Sequence, residues 1–236
     1  MDPVLIFRHA PIEGPGYFTT FLDRHGIPWK LVRIDAGEAV PESLNGVSGL
    51  CLMGGPMSVN DDLPWIPPLL ARIREAVAAG IPVIGHCLGG QLMAKALGGI
   101  VGANPVKEIG WSEVRVTDAD AARPWLGEAP APVLAFHWHG ETFSVPPGAT
   151  RILESEYCAN QAFVLDDRHI AMQCHVELTP ELVASWCEHG AAEIAASDSP
   201  GVQAPETIRA GLGERTAQLH EVADKIYSRW IQGLRR

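Results

Sequence analysis

The feature that most constrains this chain is residues 83–91, where an apolar run ends in a glycine-flanked cysteine and a helix-like segment follows. The pattern predicts a strand, a sharp turn and a helix, with Cys87 at the apex. Small residues at Gly85 and Gly89 allow the backbone to turn tightly around a nucleophile held in a strained conformation. The N-terminus of the following helix favours the thiolate. We interpret Cys87 as a nucleophile, the alternative being a buried structural cysteine.

Short apolar runs alternate with helical patterns through the first hundred residues. They predict buried strands at 4–8, 31–34, 49–53 and 82–85, and helices at 16–25 and 67–79. This alternation implies a parallel sheet covered on both faces. Further runs with few helical residues between them predict antiparallel strands at 113–117, 133–136, 152–155, 162–165 and 170–174. The predicted fold is therefore α/β, an open and mostly parallel sheet with helices on both faces and an antiparallel extension.

Two helices are expected after this sheet. Thr179 and Pro180 are typical of a helix start, and apolar positions continue to Ile194. A last amphipathic helix is predicted from Pro205 to Gly233. Its apolar stripe either packs on its own domain or borders a subunit interface, in a homodimer or where a synthetase docks. Because the chain has no repeat or long linker, we predict one domain, 1–236, with 200–236 as a helical extension.

Composition excludes several classes of protein. The formal net charge of −10 argues against a nucleic-acid surface, which needs clustered Lys and Arg. No apolar run approaches the roughly 18 residues of a membrane span, and the N-terminus lacks the features of a signal peptide. Five scattered cysteines without a CxxC pair suggest neither a disulfide framework nor a zinc site. We expect a cytoplasmic protein that needs no cofactor and binds neither nucleic acid nor membrane.

A cysteine nucleophile needs a base and a group that orients that base. His175 ends the apolar strand predicted at 170–174, and Glu177 follows two residues later. Reactive groups gather beyond the carboxyl ends of parallel strands, and both Cys87 and His175 fall at such ends. Glu177 can accept the second imidazole N–H and stabilise the imidazolium. These residues predict a Cys-His-Glu triad, the alternative for 175–177 being a solvated turn.

Two other segments offer groups for substrate binding. The glycines of residues 53–61 predict an exposed loop whose N–H groups can point at an oxyanion. Residues 137–141 follow the strand predicted at 133–136 and combine polar groups with Gly140. His137 and His139 could suggest a metal, but no third ligand with a plausible spacing is evident, so we predict no metal site.

These motifs together identify a family. Residues 85–91 resemble the G-x-C-x-G-x-Q elbow of class I (triad-type) glutamine amidotransferases, whose fold is flavodoxin-like. Residues 54–56 resemble their oxyanion loop, and His175-x-Glu177 resembles the rest of their triad. Residues 139–141 are similar to a segment of the glutaminase domain of GMP synthetase, in which backbone groups help to hold the glutamine α-carboxylate. The resemblance covers roughly residues 4–188. Val176 replaces the usual proline, which removes no chemical group.

The resemblance implies a mechanism and a set of site residues. Cys87 would attack the side-chain amide of glutamine, with His175 as the base and Glu177 as its orienting group. Substrate-binding roles are implied for the backbone of Gly55 and Leu88, for Gln91, and for the 139–141 segment, including His139 and Gly140. The expected product is ammonia.

The chain lacks the glycine-rich phosphate loop of nucleotide-dependent members. We therefore expect the ammonia to pass to an acceptor on a separate synthetase subunit. Two alternatives stay open: a stand-alone hydrolase of γ-glutamyl peptides or conjugates, and a non-catalytic binding module of the same fold.

Overall fold

The computed structural model describes residues 1–128 and 132–235, which form ten strands and eight α-helices. The strands are β1 (Val4–Arg8), β2 (Trp29–Arg33), β3 (Gly49–Leu52), β4 (Val83–His86), β5 (Val101–Val116), β6 (Val133–Phe143), β7 (Thr150–Glu154), β8 (Ala162–Leu165), β9 (His169–Met172) and β10 (Gly201–Val202). The helices are α1 (Tyr17–Arg24), α2 (Ile66–Ala78), α3 (Leu88–Ala96), α4 (Ala119–Leu126), α5 (Pro180–His189), α6 (Ala191–Ala195), α7 (Pro205–Arg209) and α8 (Leu212–Trp230). The predicted domain, 1–236, also includes residues 129–131 and 236, which lie outside the described part.

The strands form one mixed sheet in the order β10-β5-β7-β8-β9-β4-β3-β1-β2, with β6 paired to β5. From β2 to β9 every pairing is parallel, and from β9 through β8 and β7 to β5 and β6 every pairing is antiparallel. The predicted fold class is confirmed. The parallel half brings the carboxyl ends of β4 and β9 to one edge of the sheet, since these two strands are direct neighbours.

Alternating side chains of the parallel strands face two separate apolar cores. In β1, Val4 and Ile6 belong to the core that includes residues of α1, α5 and α8, whereas Leu5 and Phe7 belong to the core that includes residues of α2 and α3. Because both faces of these short strands are buried, residues that point to either face are apolar, and the strands appear in the sequence as continuous apolar runs. None of the helices described combines the length and the apolar character needed to cross a bilayer.

The antiparallel region differs from its prediction in the length of two strands. β5 and β6 form a long ribbon in register from Val101 opposite Phe143 to Val114 opposite Val133, with an irregularity between Ala103 and Glu108. The sequence placed residues 137–141 after a strand, and this was wrong, since they lie inside β6. The strand was not predicted to continue there because these side chains are polar. Several of them are nevertheless buried, since they contact polar partners.

The helices after residue 179 also differ from those predicted. The single helix predicted from Pro205 to Gly233 is two helices, α7 and α8, separated by Gly211 in the left-handed conformation at φ 63°. The helix that starts after Thr179 ends at His189, so Ile194 belongs to the separate helix α6. The side chain of Thr179 caps α5, as predicted, by accepting a hydrogen bond from the Leu182 N–H at 3.3 Å.

The apolar stripe of α7 and α8 is covered by the chain itself. Ile208, Leu219, Ile226 and Trp230 are all buried in the core that includes residues of α1, whereas Leu212 and Val222 are partly buried against it. This matches the first of the two alternatives for the stripe, packing on its own domain.

Candidate active site

The turn between β4 and α3 holds Cys87 in a conformation that L-residues rarely adopt. Its φ is 50°, and its N–H donates to the Met172 carbonyl oxygen of β9 at 2.8 Å. A side chain on Gly85 would meet the Gly89 carbonyl oxygen at 2.5 Å. A side chain on Gly89 would overlap the Leu52 carbonyl oxygen of β3. The glycines are therefore required for close packing of backbone against backbone, and the turn has the strained geometry expected of a nucleophile elbow.

His175 lies between Cys87 and Glu177. Its Nδ1–H donates to the Glu177 Oε1 at 2.6 Å, and its imidazole lines the same pocket as the Cys87 thiol. The thiol itself lies 3.7 Å from the Trp138 carbonyl oxygen, to which it donates. The Val176 N–H donates to the second carboxylate oxygen, Oε2, at 2.9 Å. The structure thus brings together the three residues that the sequence placed in a triad.

The electrostatics of this trio favour a charged imidazole. Burial by itself would lower the pKa of His175, but the charge of Glu177, its hydrogen bond to the imidazole and the nearby Cys87 sulfur raise that pKa well above its usual value. Burial opposes ionisation of Glu177, yet the neighbouring His175 and His86 lower its pKa to about 2. A carboxylate that stays ionised can hold the imidazolium that forms when the thiol loses its proton.

Two side chains behind the trio link it to the core. His86 Nε2 lies 4.0 Å from the Glu177 Oε2 and 3.2 Å from the hydroxyl of Tyr227 in α8. The face of His175 is covered by Trp186, whose ring packs edge-on at a centroid distance of 4.8 Å. These contacts exclude water from the carboxylate and fix the plane of the imidazole.

The predicted oxyanion residues are neighbours in space. Leu88 is the first residue of α3, where backbone N–H groups have no partner within the helix. Gly55 lies beside it, since a side chain on Gly55 would meet the Leu88 Cδ2 at 2.7 Å. Both positions adjoin Cys87, so the geometry is compatible with two donors aimed at one oxygen.

Gln91 is buried, and it is linked to Cys87 through a residue that the sequence reasoning missed. Its Nε2 donates to the Gln173 Oε1 at 3.1 Å, and the Gln173 Nε2 in turn donates to the Cys87 Sγ at 3.5 Å. Gln173 precedes His175 by two residues, and in an extended segment this spacing places both side chains on one face. That spacing was the available signal for Gln173.

His139 and Gly140 line the pocket from β6, and both ring nitrogens of His139 have partners within the ribbon. Its Nδ1 is hydrogen-bonded to the Glu141 carbonyl oxygen at 3.0 Å, and its Nε2 lies 3.1 Å from the Glu108 Oε2. Glu108 lies directly opposite His139 in the register of the ribbon.

Glu108 also corrects the sequence argument about a metal. The expectation that no third ligand accompanies His137 and His139 was wrong, because the Glu108 carboxylate and one nitrogen of each imidazole lie within 4.8 Å of one another. The Ser155 Oγ and the Gln161 Nε2 donate to that carboxylate at 2.8 and 2.9 Å. Donors that point at the carboxylate favour a hydrogen-bonded network over a cation, so the absence of a metal stays a prediction.

The trio opens into a pocket of about 420 Å³. Its walls come from the β1–α1 loop, the β3–α2 loop, β6 and the α5–α6 region. The lining includes Cys87 and His175 together with residues that the sequence reasoning did not select, among them Glu13, Ser58, Lys107, Trp138, Trp186 and Glu193. Lys107 and Glu193 form an ion pair at 2.6 Å at this pocket.

The chain belongs to the class I glutamine amidotransferase family, since the model of that family matches residues 20–187. This confirms the family indicated by the sequence motifs. A glutamine amidotransferase-like protein of Salmonella typhimurium is 32% identical over 192 residues, which cover 79% of this chain and 80% of the relative. The crystal structure of a glutamine amidotransferase from Methylobacillus flagellatus superposes with a TM-score of 0.98 at 48% identity, covering 100% of this chain and 96% of that one.

Two other relatives differ in how much of their length is matched. Gamma-glutamyl peptidase 3 of Arabidopsis thaliana is 27% identical, and the match covers 71% of each protein. A GMP synthase of Paraburkholderia phytofirmans is 31% identical over 56% of this chain, but over only 25% of its own length. The match thus covers most of the peptidase but only a quarter of the synthase.

Proposed function

We propose that this protein hydrolyses the γ-amide bond of a glutamyl group through a thioester on Cys87. The observation that carries the proposal is that Cys87 and His175 line one pocket, with the imidazole hydrogen-bonded to the Glu177 carboxylate. A base that shares a pocket with a nucleophile and a hydrogen bond with an orienting carboxylate is the arrangement required for nucleophilic catalysis.

The reaction begins when His175 takes the thiol proton and the Cys87 sulfur attacks the amide carbon. The carbonyl electron pair moves to oxygen, where the N–H groups of Gly55 and Leu88 stabilise the negative charge. The C–N bond then breaks with its electron pair going to nitrogen, which takes the proton held by His175. Water attacks the resulting thioester, His175 accepts its proton and returns it to sulfur, and glutamate leaves.

Two substrates fit this chemistry. Glutamine would release ammonia, and transfer of that ammonia to a separate synthetase subunit is the expectation drawn from the family. A γ-glutamyl peptide or conjugate would release an amine and need no partner. The pocket of about 420 Å³ favours the second substrate, because sites of roughly 300–1,000 Å³ accommodate ligands larger than a single amino acid.

The extent of the relatives supports the same choice. The match to a γ-glutamyl peptidase spans most of both proteins, whereas the matched GMP synthase has three quarters of its length outside the alignment. The packing of α8 on its own domain also removes the main sequence argument for a subunit surface at that stripe. A γ-glutamyl hydrolase that acts without a partner is therefore the function we favour.

The test is turnover by the purified protein without any partner. Glutamine and γ-glutamylalanine are compared with α-glutamylalanine, which has the same composition but lacks a γ-linked amide. We expect hydrolysis of both γ-linked compounds, with the dipeptide cleaved at least as well, and no hydrolysis of the α-linked isomer. Turnover of glutamine alone would restore the ammonia-donor assignment. Absence of turnover on every compound would support the non-catalytic alternative and refute the proposal.

A further inference from the structure

Glu13 is a carboxyl group inside the catalytic pocket to which the mechanism above gives no task. It lies in the loop between β1 and α1 and lines the same pocket as Cys87 and His175. Its position is fixed relative to the base: a side-chain carbon built on Gly54 would lie 2.6 Å from the Glu13 Oε2 and 3.4 Å from the His175 Cε1. The carboxyl and the imidazole therefore flank one point at the edge of the oxyanion loop.

The loop that carries Glu13 is held on both sides. The Glu13 N–H donates to the Ala10 carbonyl oxygen at 3.0 Å, and the Trp186 indole N–H donates to the Ile12 carbonyl oxygen at 2.8 Å. A few residues further on, the Tyr17 N–H donates to the Glu177 carbonyl oxygen at 2.8 Å. These bonds tie the loop to the strand end and to the segment of the catalytic carboxylate, so the direction of Glu13 is set by the fold.

The Glu13 side chain is half-buried and lines the pocket, so its carboxyl is open to a ligand there. Burial raises the pKa of Glu13 to about 7, the charge of His175 acts in the opposite direction, and Glu177 raises it further. Close to neutral pH the pocket therefore holds a carboxyl group that can carry a charge beside the imidazole.

The direction of proton transfer relates the position of Glu13 to that of the leaving group. His175 must deliver its proton to the departing nitrogen, so that nitrogen has to lie against the imidazole. Because Nδ1 is bonded to Glu177, the proton for the leaving group is carried on Nε2, and Cε1 is the ring carbon bonded to both nitrogens. Cε1 is also the His175 atom that faces Glu13 across Gly54, so Glu13 lies on the side of the imidazole where the leaving nitrogen has to be.

We propose that Glu13 is a further catalytic residue, whose carboxylate accepts a hydrogen bond from the leaving nitrogen as the C–N bond breaks. The inference rests on the proposed function. As the nitrogen takes the His175 proton it carries positive charge in the tetrahedral intermediate. The electron pair of the C–N bond then goes to nitrogen, and ammonia or the amine leaves. Glu13 gains no proton in this step, because it contributes a charge-assisted hydrogen bond to the ammonium-like nitrogen.

The experiment compares leaving groups in the isosteric variant Glu13→Gln. γ-Glutamyl methylamide requires protonation of its nitrogen, whereas γ-glutamyl p-nitroanilide has a leaving group that departs with far less help. We expect kcat/KM to fall on the order of 10- to 100-fold for the methylamide, the range typical of a hydrogen bond to a charged group. The loss on the p-nitroanilide should be clearly smaller. Glu13→Asp, which keeps the charge, should recover part of the activity on the methylamide.

Folding and thiol reactivity supply the controls. The thermal midpoint of Glu13→Gln at pH 8 should equal that of the wild type, since the side chain is half-buried and the variant keeps its shape, and the rate of Cys87 alkylation by iodoacetamide should be unchanged. Equal losses on both substrates, or a lower thermal midpoint, would show a structural role and overturn the inference alone. If the wild-type protein cleaves neither substrate, the proposed function fails as well.

Discussion

The β4–α3 elbow (residues 85–91) and the β5–β6 ribbon (residues 101–116 and 133–143) border the same pocket but are held in place by different forces. In the elbow, glycines allow backbone to touch backbone, and Gly89 packs directly on the Leu52 carbonyl of β3. In the ribbon, a buried polar network fixes the wall, with Glu108 bound by His139, Ser155 and Gln161 from three separate strands or turns.

This difference determines which substitutions each of the two regions can tolerate. The elbow depends on the absence of side chains, and any added atom collides with a neighbouring backbone. The ribbon depends on the presence of particular polar partners, and each loss leaves a buried group unsatisfied. We therefore expect an added side chain to be harmful in the elbow and a removed side chain to be harmful in the ribbon. The following variants are arranged from the largest expected effect to the smallest.

Replacement of a cysteine should produce the largest difference in activity between the two regions. Cys87→Ala is expected to lower kcat/KM on the order of 10⁵-fold or more, because it removes the nucleophile. Cys158→Ala, next to Ser155 on the ribbon side, should retain activity. Activity on γ-glutamylalanine and far-UV circular dichroism check both variants. A glutamine-like diazo-ketone should label Cys87 alone among the five cysteines, and labelling of Cys51 or Cys174 would contradict the assignment of the nucleophile.

A single methyl group should distinguish the packing of the two regions. Gly89→Ala replaces a helical glycine, a change that usually stabilises a helix by about 1 kcal/mol. Here we expect a loss of about 3 kcal/mol or more in the free energy of unfolding, because the methyl group overlaps the Leu52 carbonyl oxygen. Gly102→Ala in β5 is the control, since a side chain there meets nothing within 4 Å. Urea unfolding measures both, and equal values for the two variants would contradict the close packing.

The polar network of the ribbon is tested by Glu108→Ala. Removal of the Glu108 carboxylate leaves buried groups of His139, Ser155 and Gln161 without their partner, and each unsatisfied group costs about 1–3 kcal/mol. The free energy of unfolding should therefore fall by roughly 3 kcal/mol or more. We also expect KM to rise more than kcat falls, because the wall that carries Gly140 loses its anchor. Glu113→Ala, at an exposed position on the same strand, should lie within about 0.5 kcal/mol of the wild type. A change at Glu108 as small as that at Glu113 would mean that the network does not hold the wall.

Acidification should lower the free energy of unfolding through a buried histidine in the ribbon and another beneath the oxyanion loop. The effect of each histidine should be smaller than that of the substitutions above. Burial lowers the pKa of His137 in the ribbon to about 3 and that of His9, beneath the oxyanion loop, to about 4. The unfolded chain takes up these protons below about pH 6.5, whereas the folded chain does not. Their stabilising effect is therefore complete above pH 6.5 and decreases as the pH falls toward 4.

Each of these two histidines should account for about 2 kcal/mol of the stability lost between pH 7 and pH 5. The slope of unfolding free energy against pH is expected to become smaller in His137→Asn and to stay unchanged in the control His25→Asn, which alters an exposed side chain. An unchanged slope in His137→Asn would indicate that His137 is not held neutral in the folded state.

The comparison also explains what the sequence could predict. The elbow is local, so Gly85, Cys87 and Gly89 were recognisable from their spacing, and the short strands of the parallel half were placed within a few residues. Residues 137–141 were excluded from β6 because buried polar side chains look like a loop in a sequence. Glu108 carried no local signal, since its burial results from pairing with His139, thirty-one positions away. Gly211 did signal the break between α7 and α8, but the periodicity of the apolar stripe on both sides obscured it.

The hydrogen bond between His86 and Tyr227 has a consequence for the order in which activity is acquired during synthesis. A ribosome that has completed α5 has already made Cys87, His175 and Glu177, but not α8. Until α8 emerges and docks, the back of His86 faces water, and so does the space around the Glu177 carboxylate that lies beside it. A nascent chain that ends after α5 therefore has Cys87, His175 and Glu177 but lacks the helix that shields their surroundings from water.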